Sequence, residues 1–127
     1  MVLIVGGRSQ GKVDFAKSLF PEIKKENIGD GRTSEPAELM SCPVLTHFES
    51  LVKRLLSEGK KPAEWMEEYL TVCPKAVIIS DEIGGGVIPM DNFEEEWRET
   101  TGRLLCDLAR RSESFYRVIC GYGLKIK

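Results

Sequence analysis

The 127-residue sequence predicts a single α/β domain of three layers with a mainly parallel sheet. Three features point to it. Short β-branched apolar runs alternate with longer segments that carry helical periodicity. The first run is followed by a glycine-rich loop with a lysine and then by a helix. The clearest later run, Ala76–Ser80, ends in an acidic pair and then glycines, as expected where the carboxyl end of a parallel strand meets a ligand.

Val2–Val5 is too short for a helix and reads as a buried strand, ended by Gly6 and Gly7. Phe15, Ala16, Leu19 and Phe20 then recur at helical spacing until Pro21 stops the run. Between strand and helix, Gly6–Val13 matches the phosphate-loop pattern G-x-x-x-x-G-K-[ST] at every position but the last. Such a loop holds phosphate oxygens on main-chain N–H groups and a helix N-terminus. Gly6, Gly7, Arg8, Ser9, Gln10, Gly11, Lys12 and Val13 are therefore the candidate nucleotide-binding residues. Lys12 and the amides do not depend on the missing hydroxyl, but Val13 has no oxygen to offer Mg²⁺. The same glycines also suit a plain strand-to-helix turn, where they only let the two elements pack closely.

Residues 21–43 read as an irregular polar connector with a short edge strand near Asn27–Ile28. Thr46 and Glu49 have capping-box spacing, with Thr46 as N-cap. Behind them Leu51, Val52, Leu55 and Leu56 form one apolar face that Gly59 terminates. A second helix runs from Pro62 to Leu70, with Trp65, Met66 and Tyr69 facing inward. His47 is the sole histidine. It is the one candidate for a histidine nucleophile, set against the structural role commoner for a lone histidine beside an apolar helix.

Asp81 and Glu82 follow the strand Ala76–Ser80. In a chain with a phosphate loop, carboxylates at that place suit Mg²⁺ binding or the positioning of a hydroxyl; alone they would be an acidic turn. Gly84–Gly86 lets main chain approach a ligand or another strand. Asn92 and Glu95 have capping spacing, and Phe93, Trp97, Thr101, Leu104 and Leu108 form the inward stripe of a long helix. Acids at its start and arginines at its end fit the helix dipole. Arg98 and Arg103 fall off the stripe, either reaching phosphates or simply solvated. Ser114–Cys120 is the last long strand, and Gly121–Gly123 turns the chain back into Leu124–Lys127.

Eighteen basic against twenty acidic residues give a net charge of −2, which offers nucleic acid no general attraction. No apolar run approaches membrane length and no signal peptide is recognisable, so a cytoplasmic chain without a membrane partner is expected. Cys42, Cys73, Cys106 and Cys120 contain no C-x-x-C pair, which argues against a zinc site. Cys106 and Cys120 sit in apolar patterns and are expected in the core.

The segment from Ser80 to Lys127 resembles the C-terminal part of the adenosylcobinamide kinase / adenosylcobinamide-phosphate guanylyltransferase family of cobalamin biosynthesis. The likeness is carried by Glu82-Ile83-Gly84, Gly86-Val87-Ile88-Pro89, Arg98, Gly102-Arg103, Cys120-Gly121, Gly123 and Ile126-Lys127, and Gly6–Lys12 is similar to the family's phosphate loop. The resemblance implies a RecA-like P-loop NTPase fold. It also implies phosphorylation of the aminopropanol hydroxyl of adenosylcobinamide by GTP or ATP, transfer of GMP through a guanylylated histidine, and a homo-oligomer. The chain is shorter than the full family pattern between its first helix and Ala76, and the arginine-flanked histidine motif expected there is absent. His47 stands in that region in a different context, Val13 replaces a serine, and Asp81 stands where asparagine is typical.

Two main readings stay open. One is a compact kinase in which Lys12 and the loop amides hold the triphosphate. There Asp81 or Glu82 binds Mg²⁺ or orients the acceptor hydroxyl, and Arg98, Arg103, Gly84 and Gly86 lie near phosphate or substrate. The other is a lapsed module that holds a nucleotide or corrinoid without turnover. A purely structural subunit is the third.

Overall fold

The computed structural model describes residues 1–83 and 91–127. Strands β1 (Val2–Gly6), β2 (Ile28–Asp30), β3 (Val44–Thr46), β4 (Val77–Asp81), β5 (Ser114–Ile119) and β6 (Tyr122–Lys125) form one sheet in the order β2-β3-β4-β1-β5-β6. All neighbours run parallel except β5 and β6, which form an antiparallel hairpin. The helices are α1 (Lys12–Leu19), α2 (Pro36–Leu39), α3 (Phe48–Ser57), α4 (Pro62–Val72) and α5 (Asn92–Arg111), and a short 3₁₀ turn covers Lys25–Asn27. The connector at 21–43 is thus more ordered than its polar composition suggests. This is the mainly parallel α/β sheet the sequence predicts, with the glycine-rich loop directly after β1.

Alternate residues of the buried strands feed two cores, because successive side chains point to opposite faces. Leu3, Val5, Leu45 and Ile78 pack under α3, α4 and α5 with Phe48, Leu51, Leu55, Met66, Tyr69 and Leu108. Ile4, Val77, Ile79 and Val118 pack on the other face with Ala16 of α1, closed by Val13, Phe15 and Leu19. Both faces of the sheet are covered, which is why the inner strands read as unbroken apolar runs.

Several local expectations are corrected. Thr46 is the last residue of β3, and its hydroxyl donates to the Gly29 carbonyl at 3.2 Å instead of capping a helix. His47 is the N-cap of α3, with φ 52° and ψ 47° and no side-chain cap. Asp91, not Asn92, caps α5: its carboxylate accepts the Glu94 N–H at 2.7 Å. Cys106 and Cys120 are exposed. Cys106 lies two residues past the buried Leu104, about 200° around the helix. Cys120 forms, with Gly121, the tight β5–β6 turn, both at positive φ.

Candidate functional site

The site is built where β1 leaves the sheet. Gly6 pairs with Asp81 of β4 on one side and Val118 of β5 on the other. A Cβ at Gly6 would stand 2.6 Å from the Val118 carbonyl oxygen, so the close approach requires glycine. The loop then runs through Ser9 at φ 59° to Gly11 at φ 85°, and α1 begins at Lys12. The β5–β6 turn braces it. The Gln10 side chain accepts the Cys120 N–H at 2.7 Å, and the Gln10 carbonyl accepts the Gly121 N–H at 2.8 Å.

The loop encloses a cavity of about 240 Å³ lined by Arg8 to Asp14 together with His47 and Asp81. Lys12 lies across it with its side chain only 8% exposed. Its ammonium donates to the Gly7 carbonyl at 2.7 Å and pairs with Asp81 Oδ1 at 2.7 Å. The strand register that sets Gly6 beside Asp81 is what brings the acid to the lysine. The first N–H groups of α1 have no acceptor within the helix, and with Lys12 they make the floor of the cavity electropositive. Asp81 balances that charge internally. An anion entering the cavity competes with Asp81 for the ammonium.

Glu82 behaves differently from its neighbour. Its main-chain N–H donates to the Gly6 carbonyl at 2.9 Å, but its carboxylate turns away and takes Arg117 of β5 in a two-pronged pair at 2.7 and 3.1 Å. That hydrogen bond, reinforced by the charge of Glu82, raises the Arg117 pKa. Glu49 reaches the site instead. It is buried on the first turn of α3, and its Oε1 accepts the Asp81 N–H at 2.7 Å. Its Oε2 accepts both the N–H and the hydroxyl of Ser50 at 2.7 Å and lies 3.8 Å from His47 Nδ1. His47, Glu49 and Asp81 each offer a ligand atom within 4.8 Å of the others.

A second cavity of about 420 Å³ adjoins the first and shares Arg8, His47 and Asp81 with it. Arg32, Lys53 and Trp97 are on its walls, and the Lys53 ammonium sits 4.5 Å from the centre of the Trp97 ring. The Trp97 indole N–H is fixed on the Glu49 carbonyl at 2.7 Å. A separate cavity of about 440 Å³, lined by Met1, Phe20, Lys75 and Glu113 among others, lies at the amino ends of the strands, away from the loop.

Of the residues expected in the site, the fold gathers the loop, Lys12, His47 and Asp81. It turns Glu82 to Arg117. Arg98 and Arg103 line an outer groove on α5 with Gly102, Cys106 and Arg110, and pair with Glu94 and Glu99 at 3.8 and 3.9 Å. Gly84 and Gly86 lie outside the described residues. Glu49 was missed as a site residue because its spacing from Thr46 mimics a capping box. The overlooked signal is His47-Phe48-Glu49 directly after a buried strand, where a strand-to-helix turn aims alternate residues at the strand ends.

Residues 32–126 match the family model described as cobinamide kinase / cobinamide phosphate guanyltransferase. The chain is 34% identical over 84 residues to the bifunctional adenosylcobalamin biosynthesis protein CobU of Escherichia coli, covering 54% of this chain and 46% of that protein. It is 34% identical over 56 residues to the protein of the same name from Salmonella typhimurium, covering 43% of this chain and 31% of that one. The matched segment thus spans less than half the length of either relative. The family match begins at Arg32 and leaves the phosphate-type loop outside it, yet it takes in the strand end that brings Asp81 onto Lys12. With a match over well more than half of its length, the chain belongs to the cobinamide kinase / cobinamide phosphate guanyltransferase family.

Proposed function

We propose that this chain binds a nucleoside triphosphate, GTP or ATP, in the Gly6–Val13 loop and transfers its terminal phosphoryl group to the hydroxyl of adenosylcobinamide. The observation that carries the reading is the Lys12–Asp81 ion pair inside the loop cavity, at the carboxyl edge of the two central strands. Phosphoryl transfer asks mainly for positioning and charge neutralisation. Lys12 and the first N–H groups of α1 would hold the phosphates. Asp81, released from Lys12 by the incoming anion, would orient the acceptor hydroxyl entering from the adjoining cavity walled by Trp97 and Lys53. A divalent cation, when bound, neutralises charge on the transferring group. Guanylyl transfer through His47 is left out of this reading, since the arginine-flanked motif is missing.

The reading also takes the chain as a cytoplasmic homo-oligomer. The exposed row Tyr122, Leu124 and Ile126 on the outer hairpin strand and its end supports self-association.

The kinase is tested by incubating the protein with adenosylcobinamide and labelled GTP or ATP. Transfer of label to the corrinoid, reduced at least about a hundredfold by Lys12→Ala, is the expected result. Val13 favours a second reading, a lapsed module. Saturable nucleotide binding with no transfer to any corrinoid would decide for it.

A further inference from the structure

Mg²⁺ prefers a full set of oxygen ligands and binds through carboxylates and phosphates. The residues around the loop fit it only in part. Val13 has no hydroxyl, Glu82 is committed to Arg117, and among the described residues the clustered donor set is an imidazole nitrogen with two carboxylates. We propose that His47, Glu49 and Asp81 form a divalent transition-metal site, suited to Mn²⁺, Co²⁺ or Zn²⁺ in preference to Mg²⁺, that Lys12 guards.

The geometry supports this step by step. Three ligands on one ion at about 2.1 Å stand roughly 3–4.2 Å apart, so a contraction of roughly 0.6–1.8 Å closes a spread of 4.8 Å. Glu49 is already oriented: Asp81 N–H fixes one carboxylate oxygen and Ser50 fixes the other, the kind of outer support that holds metal ligands in place. Imidazole beside carboxylate shifts preference from Mg²⁺ toward first-row transition ions. The Lys12 ammonium, 2.7 Å from Asp81 Oδ1, now supplies the positive charge a cation would bring. An anion in the loop that draws Lys12 away frees Asp81 for the metal. Phosphate and metal binding are then coupled, each favouring the other.

The coupling to nucleotide rests on the kinase reading above, but the metal site is tested without nucleotide. Mn²⁺ is titrated into the wild-type chain, Lys12→Ala and His47→Asn and followed by pulsed EPR. Asparagine tolerates the positive φ of His47 but brings no imidazole. The expected result is a bound Mn²⁺ with ¹⁴N coupling, tightened about tenfold in Lys12→Ala. The coupling vanishes and affinity falls about tenfold or more in His47→Asn, with circular dichroism unchanged. Mn²⁺ binding without ¹⁴N coupling, binding unaffected by His47→Asn, or no binding at millimolar Mn²⁺ even in Lys12→Ala would overturn the site. Equal affinity in wild type and Lys12→Ala would overturn the guarding role of Lys12. A transferase assay that fails while these spectra hold would sink the kinase and leave the metal site standing.

Discussion

Lys12 is nearly buried and keeps its charge partnered by one carbonyl and one carboxylate. Removing one side of a buried pair leaves the other charge uncompensated, which commonly costs more than the pair contributes. Lys12→Ala is therefore expected to lower stability by about 2–4 kcal/mol, with Lys12→Ala/Asp81→Asn recovering part of it in urea melts. Gly6 is constrained differently. Gly6→Ala pushes a methyl group against the Val118 carbonyl, and a loss of about 2–3 kcal/mol is expected in the same assay, as for an overpacked core position. At the end of β2, burial pushes the Asp30 carboxyl up, but its hydrogen bonds and charge contact with Arg32 outweigh this, and its pKa is lowered. A lowered folded-state pKa contributes stability that is present above the unfolded value, about 3.9, and lost as pH falls through the folded one. Stability should drop more steeply below about pH 4 in the wild type than in Arg32→Gln, as read by thermal melts across an acid series.

At the scale of elements, the cap of α5 is a local device with a local test. Asp91→Ala removes the acceptor of the Glu94 N–H and should cost about 1 kcal/mol, seen as a lower melting temperature. The same helix shows what a sequence can and cannot give. Its stripe of Thr101, Leu104 and Leu108 was legible because burial enforces a period of 3.6 residues. Its cap was misplaced by one residue, since both Asp91 and Asn92 are good caps and only the main chain decides between them. The strands were legible for the same reason as the stripe: both sheet faces are covered, so Val2–Val5 and Val77–Ile79 are apolar throughout. Glu49 and Arg117 were not legible as partners of Asp81 and Glu82. Those meetings depend on which strands lie side by side, and residues 32 and 35 positions apart carry no local sign of it.

At the scale of the molecule, the loop is braced from a distance. The β5–β6 turn holds Gln10 through two hydrogen bonds, and Gly123 packs so closely on the Phe15 ring that a Cβ would come within 2.0 Å of it. The outer hairpin thus links the exposed row Tyr122, Leu124 and Ile126 to the phosphate-type loop. If that row is an interface between copies, Leu124→Lys with Ile126→Lys should shift the chain toward monomer in light scattering. It should also loosen the loop, seen as faster amide exchange at Gln10–Lys12. An unchanged mass would remove the support for self-association through this edge.

In the proposed function, the cavity between β1, α1 and the end of β4 would hold a phosphate chain on Lys12. Calorimetric titration of GTP and ATP into wild type and Lys12→Ala tests it most directly. Saturable binding of one nucleotide per chain is expected, weakened at least about tenfold by Lys12→Ala, as for loss of one charge-assisted contact. No saturable heat with either nucleotide up to millimolar concentration, or equal affinity in the two proteins, would contradict it.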